Sequence, residues 1–242
     1  MGVVGDLARW LADPAHWRGP AGVPARTLEH LALSATALLV ALAVAVPLGL
    51  LLGHTGRGGA LAINVSNVGR AIPSFALLVL AVQVFGLGDG PPFVALLALA
   101  LPPVLTNTYV GVRSIDRDVL DSARGMGMTA GQVLRRVETP LALPLIMAGI
   151  RTASVQVIAT AALAAVVASG GLGRYIVDGF AQQDDAQLLA GALLVALLAV
   201  LVEVVLGRLQ ARATPGRRAG RRSAGDDLTL PGAVATATAP GS

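Results

Sequence analysis

The sequence predicts an all-α polytopic membrane protein of about five transmembrane helices, with a charged helical segment held outside the lipid between the third and fourth. Three observations predict this class. Hydrophobic residues make up 55% of the chain and charged residues 13%, and the mean hydropathy is +0.72. That balance suits lipid and not a soluble domain. Five apolar stretches reach the ~20 residues that a helix needs to cross a bilayer. The charges between them are sorted: Arg57, the Arg113–Arg136 cluster and the C-terminal arginines fall on one side, and the Asp-bearing links on the other. Cytoplasmic loops carry the excess of positive charge, so the Arg-rich side is expected in the cytoplasm, with the N-terminus outside and the C-terminus inside.

Residues 1–27 form a polar, Pro-containing lead, expected as a loosely ordered tail with Trp10 and Trp17 near the membrane interface. No cationic region followed by an apolar core and a small-residue cleavage site opens the chain. The apolar, membrane-spanning region is bounded at 28–207. Span one runs roughly from Leu28 to Gly53, with Pro47 placed to kink it. Span two runs roughly from Ala60 to Phe85 and is interrupted by Asn64, Asn67, Arg70 and Pro73. The run Asn67–Leu78 reads as a broken helix, tolerated where it faces protein or a cavity. Arg70 has two readings: it snorkels to the cytoplasmic surface, or it faces a polar bundle interior.

The link Gly86–Pro92 has turn chemistry and no positive charge. Span three follows, roughly Phe93 to Val112, with Pro102 and Pro103 expected to bend it. Asn107, Thr108 and Tyr109 either line a path or bond to carbonyls freed by the prolines. Span four runs roughly from Leu141 to Ala168 and carries Arg151, Thr152, Ser154, Gln156 and Thr160 among small residues. Arg151 and Ser154 share a face at i, i+3, and Gln156 is offset. Their alternatives are translocation or hydrogen bonding between helices. Ser169–Asp185 holds turn glycines and a short apolar run, Ile176–Phe180, that can pack as a small outer helix. Span five runs roughly from Ala186 to Leu206, with Glu203 near its inner end. Residues 208–242 form a basic, disordered tail suited to anionic lipid.

Several functions are excluded. The chain has no Cys, so disulfides and thiolate metal sites are ruled out. His16, His30 and His54 lie near span ends without metal-ligand spacing. All eighteen Lys+Arg positions are Arg, so the nucleotide-binding consensus G-x-x-x-x-G-K-[ST] cannot occur. No cofactor is expected in this chain, and any ATP used is bound elsewhere. A proton relay needs buried carboxylates or His at the midplane, and apart from Glu203 no acidic residue lies deep in a span. The tail offers nothing that reads bases, so nucleic acid is no partner.

The segment Asp121–Pro140 is too charged for lipid. It begins as a helix-compatible run, turns at Gly125 and Gly127, and continues amphipathically with Val133, Leu134 and Val137 beside Arg135 and Arg136. Pro140 opens the next span, where a missing N–H does little harm. On these grounds it is either a docking element for a cytoplasmic partner or a loop that only sets topology.

The segment resembles the EAA motif of ABC importer permeases, E-A-A, three residues, G, nine residues, I-x-L-P. The matching positions are Asp121, Ser122, Ala123, Gly127, Val137, Thr139 and Pro140. Gly and Pro spacing is intact. Asp for Glu, Ser for Ala and Val for Ile are mild departures, and Thr139 for Leu is a larger one. From about Leu31 to Leu206 the chain is similar to permeases of the type I, MetI-like fold. Arg70–Leu78, Asn107–Asp116, Ala123–Thr129 and Ala148–Gly173 look most like osmoprotectant uptake permeases for glycine betaine, carnitine or choline. The first 25 and last 30 or so residues lie outside the resemblance.

The resemblance implies a cytoplasmic coupling helix that docks on ABC ATPase subunits, an extracytoplasmic substrate-binding protein, and a second permease copy or homologous permease that completes the pathway. The candidate path residues are Asn67, Arg70, Asn107, Arg151 and Gln156. Aromatics are 3% of the chain and form no cluster, so it offers no aromatic cage for a quaternary amine, and selectivity is expected in the binding protein. Two alternatives stand beside this reading: the same importer class for methionine or another small solute, and a self-contained secondary transporter. The latter needs internal repeats and midplane ionisable residues, which the sequence does not display. A membrane anchor without transport is a third possibility.

Overall fold

The structure, a computed structural model, describes residues 2–59, 63–64, 71–167 and 169–213. Among these residues it is helical throughout, without strands. The helices are α1 (Val3–Ala12), α2 (Val23–Thr55), α3 (Ser74–Phe85), α4 (Gly90–Arg113), α5 (Arg117–Gly125), α6 (Ala130–Val133), α7 (Thr139–Ala161), α8 (Gly173–Gln182) and α9 (Asp185–Ala213). A π-helical turn, Leu134–Glu138, joins α6 to α7, and a 3-10 turn, Ala162–Val167, extends α7. Four helices are long and apolar enough to cross a membrane: α2, α4, the continuous rod Ala130–Val167, and α9. Of the expected second span, residues 63–64 and 71–85 are described, the latter carrying α3. Asn67 and Arg70, the break proposed around them, and the tail beyond residue 213 lie outside the described residues.

Why these helices pack closely is written in small residues at every fourth position. On α2 they are Ala37, Ala41, Ala45, Gly49 and Gly53. This stripe meets Leu96, Ala100 and Val104 of α4 and Ala153, Val157 and Ala161 of α7 in one buried core. A Cβ on Gly49 would lie 2.6 Å from the Thr108 Cβ, and one on Gly53 would lie 2.6 Å from that of Val112. Removing side chains along one face lets helix backbones approach. The pairings Gly49–Thr108 and Gly53–Val112 rise together, so α2 and α4 run parallel. Asn107 meets Gly149 and Gly111 meets Ala142, so α7 runs antiparallel to them. The opposite face of α2 exposes Leu28, Leu39, Leu48 and Leu51, as a lipid-facing stripe should. Pro47, Pro102 and Pro103 all lie inside helices that continue through them.

The bundle therefore has a basic end, where α2, α4 and α9 finish and α7 begins, and an opposite end. His30, buried on α2, places Nε2 2.9 Å from the Ile158 carbonyl and ties α2 to α7 near the opposite end.

The lead is not a loose tail. Val3, Leu7, Trp10 and Leu11 recur at i, i+4, i+7 and i+8, the spacing of one helix face. Leu7, Trp10 and Leu11 pack into a cluster with Tyr175 of α8 and Val195 and Leu198 of α9. Trp10 is buried, not interfacial; it stacks on His16 at 4.1 Å and meets Tyr175 edge-on at 5.3 Å. The Tyr175 hydroxyl donates to the Ala21 carbonyl at 2.6 Å. Burial pushes the phenol pKa up, which keeps the hydroxyl a donor. Trp17 stays 44% exposed and donates Nε1–H to the Leu11 carbonyl. The apolar run expected as a short helix forms α8, which Arg174 and Asp178 brace with an i, i+4 ion pair at 2.7 Å.

Candidate coupling segment and polar cleft

The charged segment between α4 and α7 folds as two short helices with a sharp turn. Asp116 caps α5 by accepting from the Asp118 N–H. The turn falls at Gly127, which sits at φ +83°, in the left-handed region that glycine enters at no steric cost. Gly125 instead ends α5 as an ordinary helical residue. Thr129 and Gln132 then cap α6 reciprocally, the side chain of each receiving the other's backbone N–H.

Three side chains root the segment in the bundle: Ala123, Val133 and Glu138 are buried. Leu134 and Val137 are half-buried, while Arg135 and Arg136 point outward. Asp121 and Ser122 are exposed, and Asp121 pairs with Arg124 at 3.1 Å. Val119 and Met126 are exposed apolar side chains among these charges, Met126 at 77%. The result is a basic ridge with apolar knobs outside the span bundle, on a rod continuous with α7.

Thr139 and Pro140 explain how that rod is made. Pro140 has no N–H to give to a carbonyl one turn back. The chain widens into a π-turn, in which the Thr139 N–H reaches the Leu134 carbonyl. The Thr139 hydroxyl adds a second bond to the same oxygen at 2.8 Å. A leucine could not make that bond, so the departure from the motif has a local structural use.

The path candidates separate into two groups. Arg151 and Gln156 line one cleft of about 560 Å³ together with Ala148, Thr152, Glu203 and Gln210. Arg151 is ion-paired through two guanidinium nitrogens with Glu203 on α9, Nε lying 2.6 Å from Oε1. Gln210 donates to the Pro144 carbonyl at 3.0 Å and stays within reach of Arg151. Ser154, expected on the Arg151 face, is instead buried and bonds back to the Ile150 carbonyl at 2.7 Å. Asn107 lies on the other side of α7, packed on Gly149. Its Nδ2 donates to the Pro103 carbonyl at 2.8 Å, and not to the carbonyls four residues before each proline. Asn107 thus sits at a helix contact, apart from the Arg151 cleft.

At the opposite end, a cavity of about 800 Å³ is lined by Arg26, Glu29, Leu33, Asp89, Phe93 and Ser169. Glu29 accepts from the Gly171 N–H at 2.9 Å and Asp89 from the Ser169 hydroxyl at 2.6 Å. Sequence reasoning did not find these latches, nor the pairing of Glu203 with Arg151 or of Glu138 with His54. Each joins residues more than fifty positions apart. The available signal was a lone charge inside an apolar run, which needs a partner.

A bundle of apolar helices with a charged helical segment outside it has the form of a multi-pass membrane subunit. Residues 45–218 match the family described as binding-protein-dependent transport system inner membrane component, and the chain belongs to that family. It is 42% identical over 190 residues to the carnitine transport permease protein of Listeria monocytogenes, covering 78% of this chain and 87% of that one. It is 38% identical over 190 residues to the choline transport system permease protein of Bacillus subtilis (strain 168), covering 78% and 88%. Identity to the osmoprotectant import permease protein of Salmonella typhimurium is 38% over 194 residues, covering 78% and 90%. In fold the chain is similar to a chain of the inward-facing MetNI methionine ABC transporter, with TM-score 0.70 and 23% identity over 84% of this chain and 99% of that one.

Proposed function

We propose that this chain is the membrane-spanning subunit of an ATP-driven importer that takes up quaternary-amine osmoprotectants such as glycine betaine, carnitine or choline. The observation that carries this reading is the segment Asp121–Pro140, which keeps the coupling-motif spacing and stands outside the bundle on a rod continuous with α7. Its exposed arginines and apolar knobs suit a cleft in an ATPase subunit. The substrate class is supported by the relatives, whose names specify carnitine, choline and osmoprotectants.

On this reading the basic end faces the cytoplasm and the N-terminus lies outside, as the arginine distribution favours. ATP is bound by separate subunits, since the chain contains no Lys for a P-loop. A binding protein delivers solute to the opposite end. A second copy, or a homologous permease, completes the pathway. The Arg151–Gln156 cleft is the candidate wall of that path, because a half-exposed ion pair on apolar helices is costly against lipid and tolerable against water. Asn67, Arg70 and Asn107 remain candidates for the same role. Among the described residues Phe93 is the one aromatic lining the opposite-end cavity, too few for a cage, so solute selection falls to the binding protein.

The test is ATP-dependent uptake of labelled glycine betaine into proteoliposomes holding this chain, its ATPase and its binding protein. Uptake supports class and solute together. ATPase stimulation by a binding protein loaded with methionine, without betaine uptake, keeps the importer and discards the solute.

A further inference from the structure

Glu138 occupies the unspecified place of the coupling motif, between Val137 and Thr139. Yet it is the one buried carboxylate among the described residues, at 2% exposure. Its Oε2 lies 2.7 Å from Nδ1 of His54, in the last turn of α2. A carboxylate accepts only, so Nδ1 carries the proton in this bond. The two residues are 84 positions apart. The π-turn aims Glu138 there. A turn closed over five residues rather than four carries position 138 round to the side that holds buried Val133, whereas an uninterrupted α-helix would leave it well off that side.

Around the pair the segment is not tightly seated. A polar cavity of about 350 Å³ separates it from the helix ends, lined by Arg113, Arg117, Asp121 and Arg124 besides His54 and Glu138. The segment is joined to α7 by the chain itself and to α2 through this side-chain bond. A displacement of the segment reaches α7 by covalent continuity. At the basic end it reaches α2 directly through the His54–Glu138 bond, besides the core that α2 shares with α7 further along. Separating the pair would take from a buried carboxylate the hydrogen bond that His54 gives it, which is costly.

We propose that His54 and Glu138 form a strut that makes α2 follow the coupling segment, acting as positioning residues for the transport stroke. The proposal rests on the coupling role proposed above. Glu138→Leu, Glu138→Gln, His54→Leu and the double Leu variant are reconstituted with the ATPase and binding protein. Complex recovery, ATPase stimulation by loaded binding protein, and solute moved per ATP are then measured. Glu138→Leu and His54→Leu are expected to keep complex recovery and ATPase activity while solute per ATP falls by about tenfold, the factor of one charge-assisted hydrogen bond. Glu138→Gln, which still accepts from Nδ1–H, restores the ratio, and the double variant is no worse than either single one. A wild-type ratio in an intact Glu138→Leu complex, or additive losses in the double variant, overturns the strut. If Glu138→Leu does not fold, His54→Leu and Glu138→Gln decide by the same ratio. Gly127→Asp separates the two levels: unchanged ATPase binding in that variant refutes the coupling reading itself, whereas lost binding there with a wild-type ratio in Glu138→Leu refutes the strut alone.

Discussion

Replacing Gly49 with Ala probes the close contact on which the bundle is built. The added Cβ would lie 2.6 Å from the Thr108 Cβ, 2.8 Å from its Cγ2 and 3.1 Å from the Leu105 carbonyl oxygen. Ordinary carbon contacts need ~3.5–4.0 Å, and neither a β-carbon nor a carbonyl can swing away. So α2 and α4 must part by about 1 Å, loosening the Gly53–Val112 contact one turn further on. Overpacking of this kind costs about 1–3 kcal/mol. Exchanging Gly for Ala inside a helix offsets about 1 kcal/mol. The net expectation is about 1 kcal/mol of destabilisation, or a midpoint about 2–4 °C lower for a chain of this size. Gly207→Ala on α9 is the control. Its Cβ would meet nothing nearer than the Arg151 Cζ at 3.6 Å, so only the helix gain remains and the midpoint should rise by about 2–4 °C. Thermal unfolding of the two purified variants in one detergent makes the comparison. If Gly49→Ala is as stable as Gly207→Ala, the stripe of small residues is not what brings α2 against α4.

Gly127→Asp should weaken recovery of the ATPase on pull-down with only a small fall in the unfolding midpoint, because a side chain at φ +83° is strained by about 1–2 kcal/mol while the site lies outside the spans; undiminished recovery would remove the segment from docking. Arg151→Ala should lower solute uptake in proteoliposomes, and exchanging the charges as Arg151→Glu with Glu203→Arg should recover part of it; undiminished flux in Arg151→Ala would make the pair a packing contact only. Trp10→Ala removes the ring between His16 and Tyr175, a loss of about 3–5 kcal/mol for a packed Trp, and should free α1. Limited proteolysis then gains a cut between residues 12 and 22, and a resistant lead would show that Trp10 is not its anchor.

The spans were legible because lipid demands long apolar runs, and α2, α4 and α9 overlap the expected stretches with a few residues added at their ends. Burial within the bundle was less legible. The α2 stripe from Ala37 to Gly53 was present at strict four-residue spacing, but in an all-apolar helix the buried and lipid-facing sides differ in size, not polarity, so hydropathy hides it. Ser154 and Gln156 illustrate the same gap. Pure α-helical spacing grouped Ser154 with Arg151, yet Ser154 bonds into its own helix and Gln156 shares the Arg151 cleft, because a long side chain reaches round a helix and a short one does not. Charge pairing was not legible at all, since His54–Glu138 and Arg151–Glu203 depend on which helix ends lie side by side. The lead shows the reverse error: its helical spacing was there to be read, but its polar composition outweighed four apolar positions.

The rod that begins at Ala130 does not stop at Ala161. It runs on through the 3-10 turn to Val167, and just past it Ser169 and Gly171 are fastened to Asp89 of the α3–α4 link and to Glu29 of α2. This makes it a lever with a long arm. Its 38 residues extend on the order of 55 Å at ~1.5 Å per residue. A tilt of about 5° at the ridge of arginines therefore sweeps the far tip by roughly 5 Å for an arm of that length. The two carboxylate bonds sit where that displacement is largest, so they oppose rocking of the rod with the longest leverage the bundle offers.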